Sequence, residues 1–187
     1  MEWFNSPVNC SAEGDTLTVT TGPDSDFWRI THYGFIRDSG HFGFVTLSGD
    51  LAAEVRVRGA YRDLYDQAGL MIRIDERNWI KCGIELVDGV QQVSAVVTRE
   101  FSDWSVRPLS TPPEELTLRL LRRGDTVEVH YALDAGPLMM LRLAYFPPQV
   151  PVQIGVMCAS PQGSGFTTVF SGLQITALPA EEQPNAV

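Results

Sequence analysis

Three cysteines in 187 residues are too few, and wrongly spaced, for a disulfide framework. Cys10, Cys82 and Cys158 are an odd number and contain no C-x-x-C pair, which also removes the usual zinc spacing. Basic residues are scarce as well: 14 Lys and Arg stand against 23 Asp and Glu, for a net charge of -9. A general nucleic-acid binder needs the opposite excess to displace counterions from phosphates, so nucleic acid and anionic membrane are set aside as partners. No stretch approaches the roughly 20 consecutive apolar residues of a membrane helix. The start, Met1-Glu2-Trp3-Phe4-Asn5, lacks the basic and apolar regions of a signal peptide. A cytoplasmic location is therefore expected. The nucleophile elbow, phosphate-binding loop, dinucleotide fingerprint and H-E-x-x-H motif are all absent. His32, His41 and His130 are scattered, so no metal and no cofactor is expected. Helical periodicity is nearly absent too, since apolar residues at i, i+3, i+4 and i+7 do not persist over three turns.

What is present is alternation. Short apolar-polar runs separated by Gly, Pro, Asp and Asn predict an all-β chain. The clear runs are 16–21, 51–58, 68–74, 79–87, 92–98, 116–122, 126–133, 138–146, 152–158 and 167–176. Asp75-Glu76-Arg77-Asn78, Asp88-Gly89 and Arg123-Gly124-Asp125 read as hairpin turns. Strands joined by such short turns pair antiparallel. The hydrophobic fraction is 44%, enough for one core, and the expectation is a single sandwich domain over 1–179. Residues 180–187 read as a flexible C-terminal tail.

Strand parity assigns faces. Ile80, Cys82, Ile84 and Leu86 point to the core, as do Ala68, Leu70, Ile72 and Ile74, and Val93, Ala95 and Val97. In these patterns Cys82 and Cys158 behave as small buried hydrophobes. The opposite face collects Gln67, Arg73, Trp79, Lys81, Glu85, Ser94 and Thr98, with Arg119 as a further candidate. Gly69 and Gly83 share it and open space above the backbone. An aromatic ring beside carboxylate, amide and ammonium groups suits a polyhydroxylated ligand, because the ring stacks on C–H faces and the polar groups fix hydroxyls. The alternative is a solvated face with cross-strand Lys81–Glu85 pairs. Phe101-Ser102-Asp103-Trp104-Ser105 reads as a loop after the Thr98 strand, either a rim carrying Asp103 and Trp104 or an end plug. Asp26-Phe27-Trp28 and Thr31-His32-Tyr33-Gly34 read as aromatic anchoring, with His32 as an acid–base alternative.

Tyr65-Asp66-Gln67-Ala68-Gly69-Leu70-Met71, Trp79-Ile80-Lys81-Cys82-Gly83-Ile84-Glu85 and Ser102-Asp103-Trp104-Ser105 resemble signature blocks of the DUF1349 family. Asp26-Phe27-Trp28, Thr31-His32-Tyr33-Gly34, Cys158-Ala159-Ser160-Pro161 and Gly165-Phe166 extend the resemblance over roughly residues 3–177. It implies a concanavalin A-like fold of the lectin/glucanase superfamily: a two-sheet antiparallel jelly-roll sandwich with a concave sheet carrying the Trp79 face. The superfamily's retaining glucanases carry a Glu-x-Asp-x-Glu strand, whereas this chain has Glu85-Leu86-Val87-Asp88, which argues against carrying that chemistry over.

Three functional expectations follow. The first is binding of a carbohydrate or small polar ligand by Gln67, Arg73, Trp79, Lys81, Glu85, Asp103 and Trp104. The second is a glycosidase-like hydrolase with Glu85 as acid or base, favoured if a second carboxylate shares its cleft. The third is a protein-interaction or regulatory domain, with Leu138-Met139-Met140-Leu141 as a homodimer contact.

Overall fold

The computed structural model describes residues 1–179, so the expected tail lies outside the described residues. Sixteen strands follow in chain order. They are β1 (Glu2–Phe4), β2 (Asn9–Glu13), β3 (Thr16–Thr20), β4 (Phe27–Arg29), β5 (Ile36–Asp38), β6 (His41–Leu47), β7 (Leu51–Gly59) and β8 (Gln67–Asp75). The rest are β9 (Asn78–Val87), β10 (Val90–Arg99), β11 (Phe101–Pro108), β12 (Leu116–Arg123), β13 (Thr126–Leu133), β14 (Met139–Tyr145), β15 (Val152–Ala159) and β16 (Thr167–Ala177). Among the described residues no helix is long and apolar enough to cross a membrane.

Two seven-stranded antiparallel sheets form the sandwich. The first runs β1-β6-β15-β8-β9-β10-β11 and the second β14-β13-β12-β7-β16-β3-β2. A two-stranded hairpin, β4–β5, belongs to neither. This is the all-β, two-sheet antiparallel jelly-roll sandwich expected from the sequence.

Alternation builds the core between the sheets. In β7, Leu51, Val55 and Val57 are buried while Glu54, Arg56 and Arg58 are exposed. In β12, Leu116, Leu118 and Leu120 are buried. Opposite them, Leu70, Ile72, Ile80, Cys82, Ile84, Val93 and Ala95 complete one contiguous cluster. Tight turns fix the register. Asp88 and Gly89 both hold positive φ, 49° and 77°, and Val87 pairs with Val90 across them. A two-residue turn of that kind matches strand twist.

The sheets differ in their outer faces. The second sheet is one-sided. In the first, β8 is buried without a break from Gln67 to Arg73, and β9 from Trp79 to Leu86, so both faces are covered. The cover is a second apolar cluster of Phe27, Trp28, Phe42, Phe44, Met71, Trp79, Val96 and Met157, with Phe4 against it.

Two sequence expectations are corrected. The 101–105 segment is not a loop but the start of β11, paired along its length with β10. Arg119 lies on β12, opposite Glu54 and His130 in the second sheet, and so does not share the Trp79 face. The short strands β1, β2, β4 and β5 carry too few alternating positions to stand out by pattern, and β6 too many Gly and aromatic residues. The run at 138–141 enters β14, an edge strand of the second sheet, and Met140 is exposed there.

Candidate functional site

The outer face of the first sheet is divided in two. At one end the aromatic cluster fills the space over the strands. At the other end the β4–β5 hairpin stands off the sheet and leaves a cavity of about 360 Å³.

The floor comes from β8 and β9. Gln67 pairs with Glu85, Gly69 with Gly83 and Met71 with Lys81. A Cβ on Gly69 would lie 1.8 Å from the Cys82 carbonyl oxygen, and one on Gly83 2.0 Å from that of Ala68. The close approach of the strands therefore demands glycine at both positions. The bare pair also lets Lys81 lie over it. Its Nζ donates to the Gln67 Oε1, at 2.5 Å, and to the Phe27 carbonyl oxygen, at 2.8 Å. The second bond ties the floor to the hairpin. The Asp26 carboxylate stands 3.8 Å from the same ammonium.

Glu85 is 7% exposed. Its Oε2 accepts from the Ser94 hydroxyl and from the Trp104 indole N–H, both at 2.9 Å. Burial pushes the Glu85 carboxyl above the ordinary range; Lys81, Ser94 and Trp104 pull it down, and the neighbouring Asp26 charge pushes it up. Asp26 shifts the same way. Burial raises its carboxyl, against the Lys81 charge, a hydrogen bond from the Phe27 backbone, the Arg37 charge and a hydrogen bond from the Gln67 amide. Two desolvated carboxylates thus share one buried ammonium.

Aromatic rings make the walls. Trp28 meets Tyr33 edge-on at 5.6 Å, and Tyr33 stacks on Phe35 at 5.3 Å, all on or between β4 and β5. Across the cavity Tyr65 and Trp104 meet edge-on at 6.3 Å. The Tyr33 and Tyr65 hydroxyls join the two walls at 3.1 Å. That bond, with burial, pushes the Tyr65 phenol up to about 12. Backbone strain gathers here. Ile30, His32 and Tyr65 hold φ of 64°, 63° and 67°, a region that a β-branched residue such as Ile rarely visits.

The residues singled out from sequence separate into two sets. Gln67, Lys81, Glu85 and Trp104 come together around the cavity. Trp79, Arg73 and Asp103 do not. Trp79 is 1% exposed and packs edge-on against Phe27 at 6.2 Å. Its ring lies 5.9 Å from Lys81 Nζ, so it backs the ammonium and offers no stacking surface. Arg73 is buried, makes two bonds to the Asp38 carboxylate at 3.0 and 2.9 Å, and lies over the Phe4 ring. It latches the hairpin down. Asp103 is exposed on β11, where alternation turns it away from its neighbour Trp104. His32 is exposed on the hairpin turn and does not line the cavity.

Sequence reasoning missed Asp26, Trp28, Tyr33, Phe35, Arg37 and Tyr65 as lining residues. The density of aromatics from 26 to 35 was the available signal. Nothing local showed that this segment folds over β9. Among the described residues no group of three His, Cys, Asp or Glu side chains could hold a metal ion.

The family profile described as "Protein of unknown function (DUF1349)" matches residues 3–178. "Regulation of enolase protein 1" of Saccharomyces cerevisiae is 38% identical over 175 residues, spanning 94% of this chain and 88% of that protein. A crystal structure of a functionally unknown protein from Saccharomyces cerevisiae superposes with a TM-score of 0.90 at 37% identity, covering 96% of this chain and 97% of that one. The carbohydrate binding module CBM66 from Bacillus subtilis superposes with a TM-score of 0.59 at 14% identity, covering 94% and 95%. That last likeness is one of fold.

Proposed function

The chain belongs to the DUF1349 family, whose description carries no activity, and we propose from the cavity that it binds a carbohydrate-like or small polar ligand on the outer, concave face of the first sheet. The observation that carries this reading is the pairing of buried acceptors with aromatic walls in one cavity. Glu85 Oε2 is held by Ser94 and Trp104, and no described protein donor reaches its other oxygen, Oε1. Asp26 lies nearby with its charge raised in energy by burial. Hydroxyl groups of a polyol satisfy such acceptors, and Trp28, Tyr33, Tyr65 and Trp104 supply flat faces for C–H surfaces. A volume of about 360 Å³ suits one or two sugar rings and not a long chain. The fold likeness to a carbohydrate-binding module agrees with this without adding a ligand.

The test is a thermal-shift screen with mono- and oligosaccharides and small polyols at millimolar concentration. A ligand that binds the native state raises Tm by mass action. Glu85→Gln and Trp104→Ala weaken binding about tenfold or more, since hydrogen bonds to a charged group contribute roughly 1.5–3 kcal/mol. If nothing in the panel stabilises the protein, or if both variants respond as the wild type does, the reading fails.

One observation favours a second reading, a glycosidase-like hydrolase. Asp26 is a second carboxylate in the Glu85 cavity, and both acids are shifted toward the protonated form. In that reaction Glu85 protonates the glycosidic oxygen. Asp26 takes a proton from the water that attacks the anomeric carbon. Release of reducing ends from oligosaccharides, lost in both Glu85→Gln and Asp26→Asn, would separate catalysis from binding.

A further inference from the structure

We infer that the ligand of this cavity carries one anionic group, a carboxylate or a phosphate, and that Arg37 selects for it. This rests on the polyhydroxylated-ligand reading and adds a charge requirement to it.

The two cations at the cavity are in different states. Lys81 is buried, and its ammonium is engaged by the Phe27 carbonyl, Gln67 and Asp26. Its charge is used in holding the hairpin and the two acids. Arg37 is exposed, lines the cavity and makes no ion pair within 4 Å among the described residues; its charge acts on the Asp26 carboxylate only from farther off. Its guanidinium carbon stands 5.2 Å over the ring of Phe35, another lining residue, in a cation–π contact.

The hairpin register aims it. Trp28 pairs with Arg37, and Phe27 with Asp38. Side chains directly opposite one another share a face. Phe27 and Asp38 turn to the packed side, where Phe27 is buried and Asp38 holds Arg73. Trp28 and Arg37 turn to the cavity. A ring laid on Trp28 therefore has a guanidinium beside it.

Polarity is graded with depth. The inner end presents acceptors, Glu85 at 7% exposure and the Asp26 side chain at 15%. The mouth presents the donors of Arg37. A ligand that meets both has hydroxyls inward and an acidic substituent outward, and a planar fork recognises carboxylate or phosphate by paired hydrogen bonds. Asp24 also lines the cavity and is exposed, so it opposes the anion and supplies a control of opposite sign.

The experiment is calorimetric titration of the full chain with three arms: D-glucose and D-galactose, their uronates, and their 6-phosphates. At least one acidic arm binds about tenfold tighter than its neutral parent. Arg37→Leu removes that difference, so that acidic and neutral sugars bind alike, Arg37→Lys keeps part of it, and Asp24→Asn enlarges it severalfold. Because Arg37 is exposed, the Arg37 variants keep the wild-type Tm. Equal affinity for neutral and acidic sugars, or a preference that survives Arg37→Leu, overturns the inference while the polyol-binding reading stands. Binding in no arm removes both.

Discussion

The two ends of the first sheet's outer face have the same strands beneath them and opposite contents. At the packed end, Met71, Trp79, Val96 and Met157 rise from the sheet to meet Phe27 and Phe42. At the open end, Gln67, Lys81 and Glu85 occupy the same face two to six residues along, and a cavity remains above them. The Gly69–Gly83 pair lies between the two ends, and Lys81, rooted opposite Met71 on the packed side, reaches across it to Gln67 at the open end. Apolar side chains close one end because burying them is favourable. The polar ones hold the other open because a buried carboxylate needs donors that the protein only partly supplies. The packed end secures the roof, and the open end is what the roof covers.

The largest effect expected from breaking this contrast is at the packed end. Trp79→Ala removes a fully buried ring and lowers stability by about 3–5 kcal/mol, read by urea unfolding. Because Trp79 also backs Lys81 and packs against Phe27, ligand binding falls with it. A Trp79→Ala protein as stable as wild type would mean that the second cluster is not a core.

Next is the glycine pair between the two ends. Gly69→Ala or Gly83→Ala places a Cβ within 2.0 Å of a carbonyl oxygen of the neighbouring strand, and forcing the strands apart costs roughly 1–3 kcal/mol. A Tm unchanged by either substitution would show that the close pairing is dispensable.

The two ends also respond to pH with opposite signs. Beside the packed end, His41 Nδ1 donates to the Asn5 carbonyl, and its Nε2 accepts the Gly22 N–H, each at 2.9 Å. The ring is neutral, and burial holds its pKa below the ordinary value. The unfolded chain then takes up the proton first. His41 therefore leaves stability intact above about pH 6.5 and lowers it as pH falls from there toward the depressed folded value. At the open end the folded pKa of Glu85 is raised. The native state holds a proton that the unfolded chain has released, so stability is highest below about pH 4.3 and falls as pH rises through the folded value. Tm measured against pH should lose its acid-side fall near neutrality in His41→Gln. It should lose part of its decline with rising pH in Glu85→Gln, which is then at least as stable as wild type at pH 7. A Glu85→Gln protein that is less stable at pH 7 would contradict the desolvated-carboxylate account.

The smallest effect is on β11. Asp103→Asn, on an exposed side chain that does not line the cavity, changes stability by no more than about 0.5 kcal/mol and leaves ligand affinity unchanged. Its neighbour Trp104 is the contrasting case, since Trp104→Ala removes a donor to Glu85. Equal effects at the two positions would mean that strand alternation does not separate them.

Much of this was legible in the residues. Period-two alternation placed Ile80, Cys82, Ile84 and Leu86 on the core side and Lys81 and Glu85 on the other, because a strand sends neighbouring side chains to opposite faces whatever surrounds it. The same parity puts Trp79 on the outer face but carries no sign that the face is covered there, so it does not separate Trp79 and Arg73 from Lys81 and Glu85. Asp103 was misplaced for a related reason: in a loop it could turn either way, whereas in β11 its direction is set.

By itself, then, the sequence determined the fold class, the sandwich core and the face that bears Gln67, Lys81 and Glu85, since these depend on local periodicity and turn chemistry. The tertiary structure alone decided which part of that face is a site. The β4–β5 hairpin lies some 40 to 60 residues before β9 in the chain and reaches β9 through Lys81 to Phe27, β8 through Arg73 to Asp38, and both through the aromatic cluster. Those contacts carry no periodic signal. They bring Asp26, Trp28 and Arg37 over Glu85 through packing between distant segments, and that packing makes a patterned strand face into a cavity.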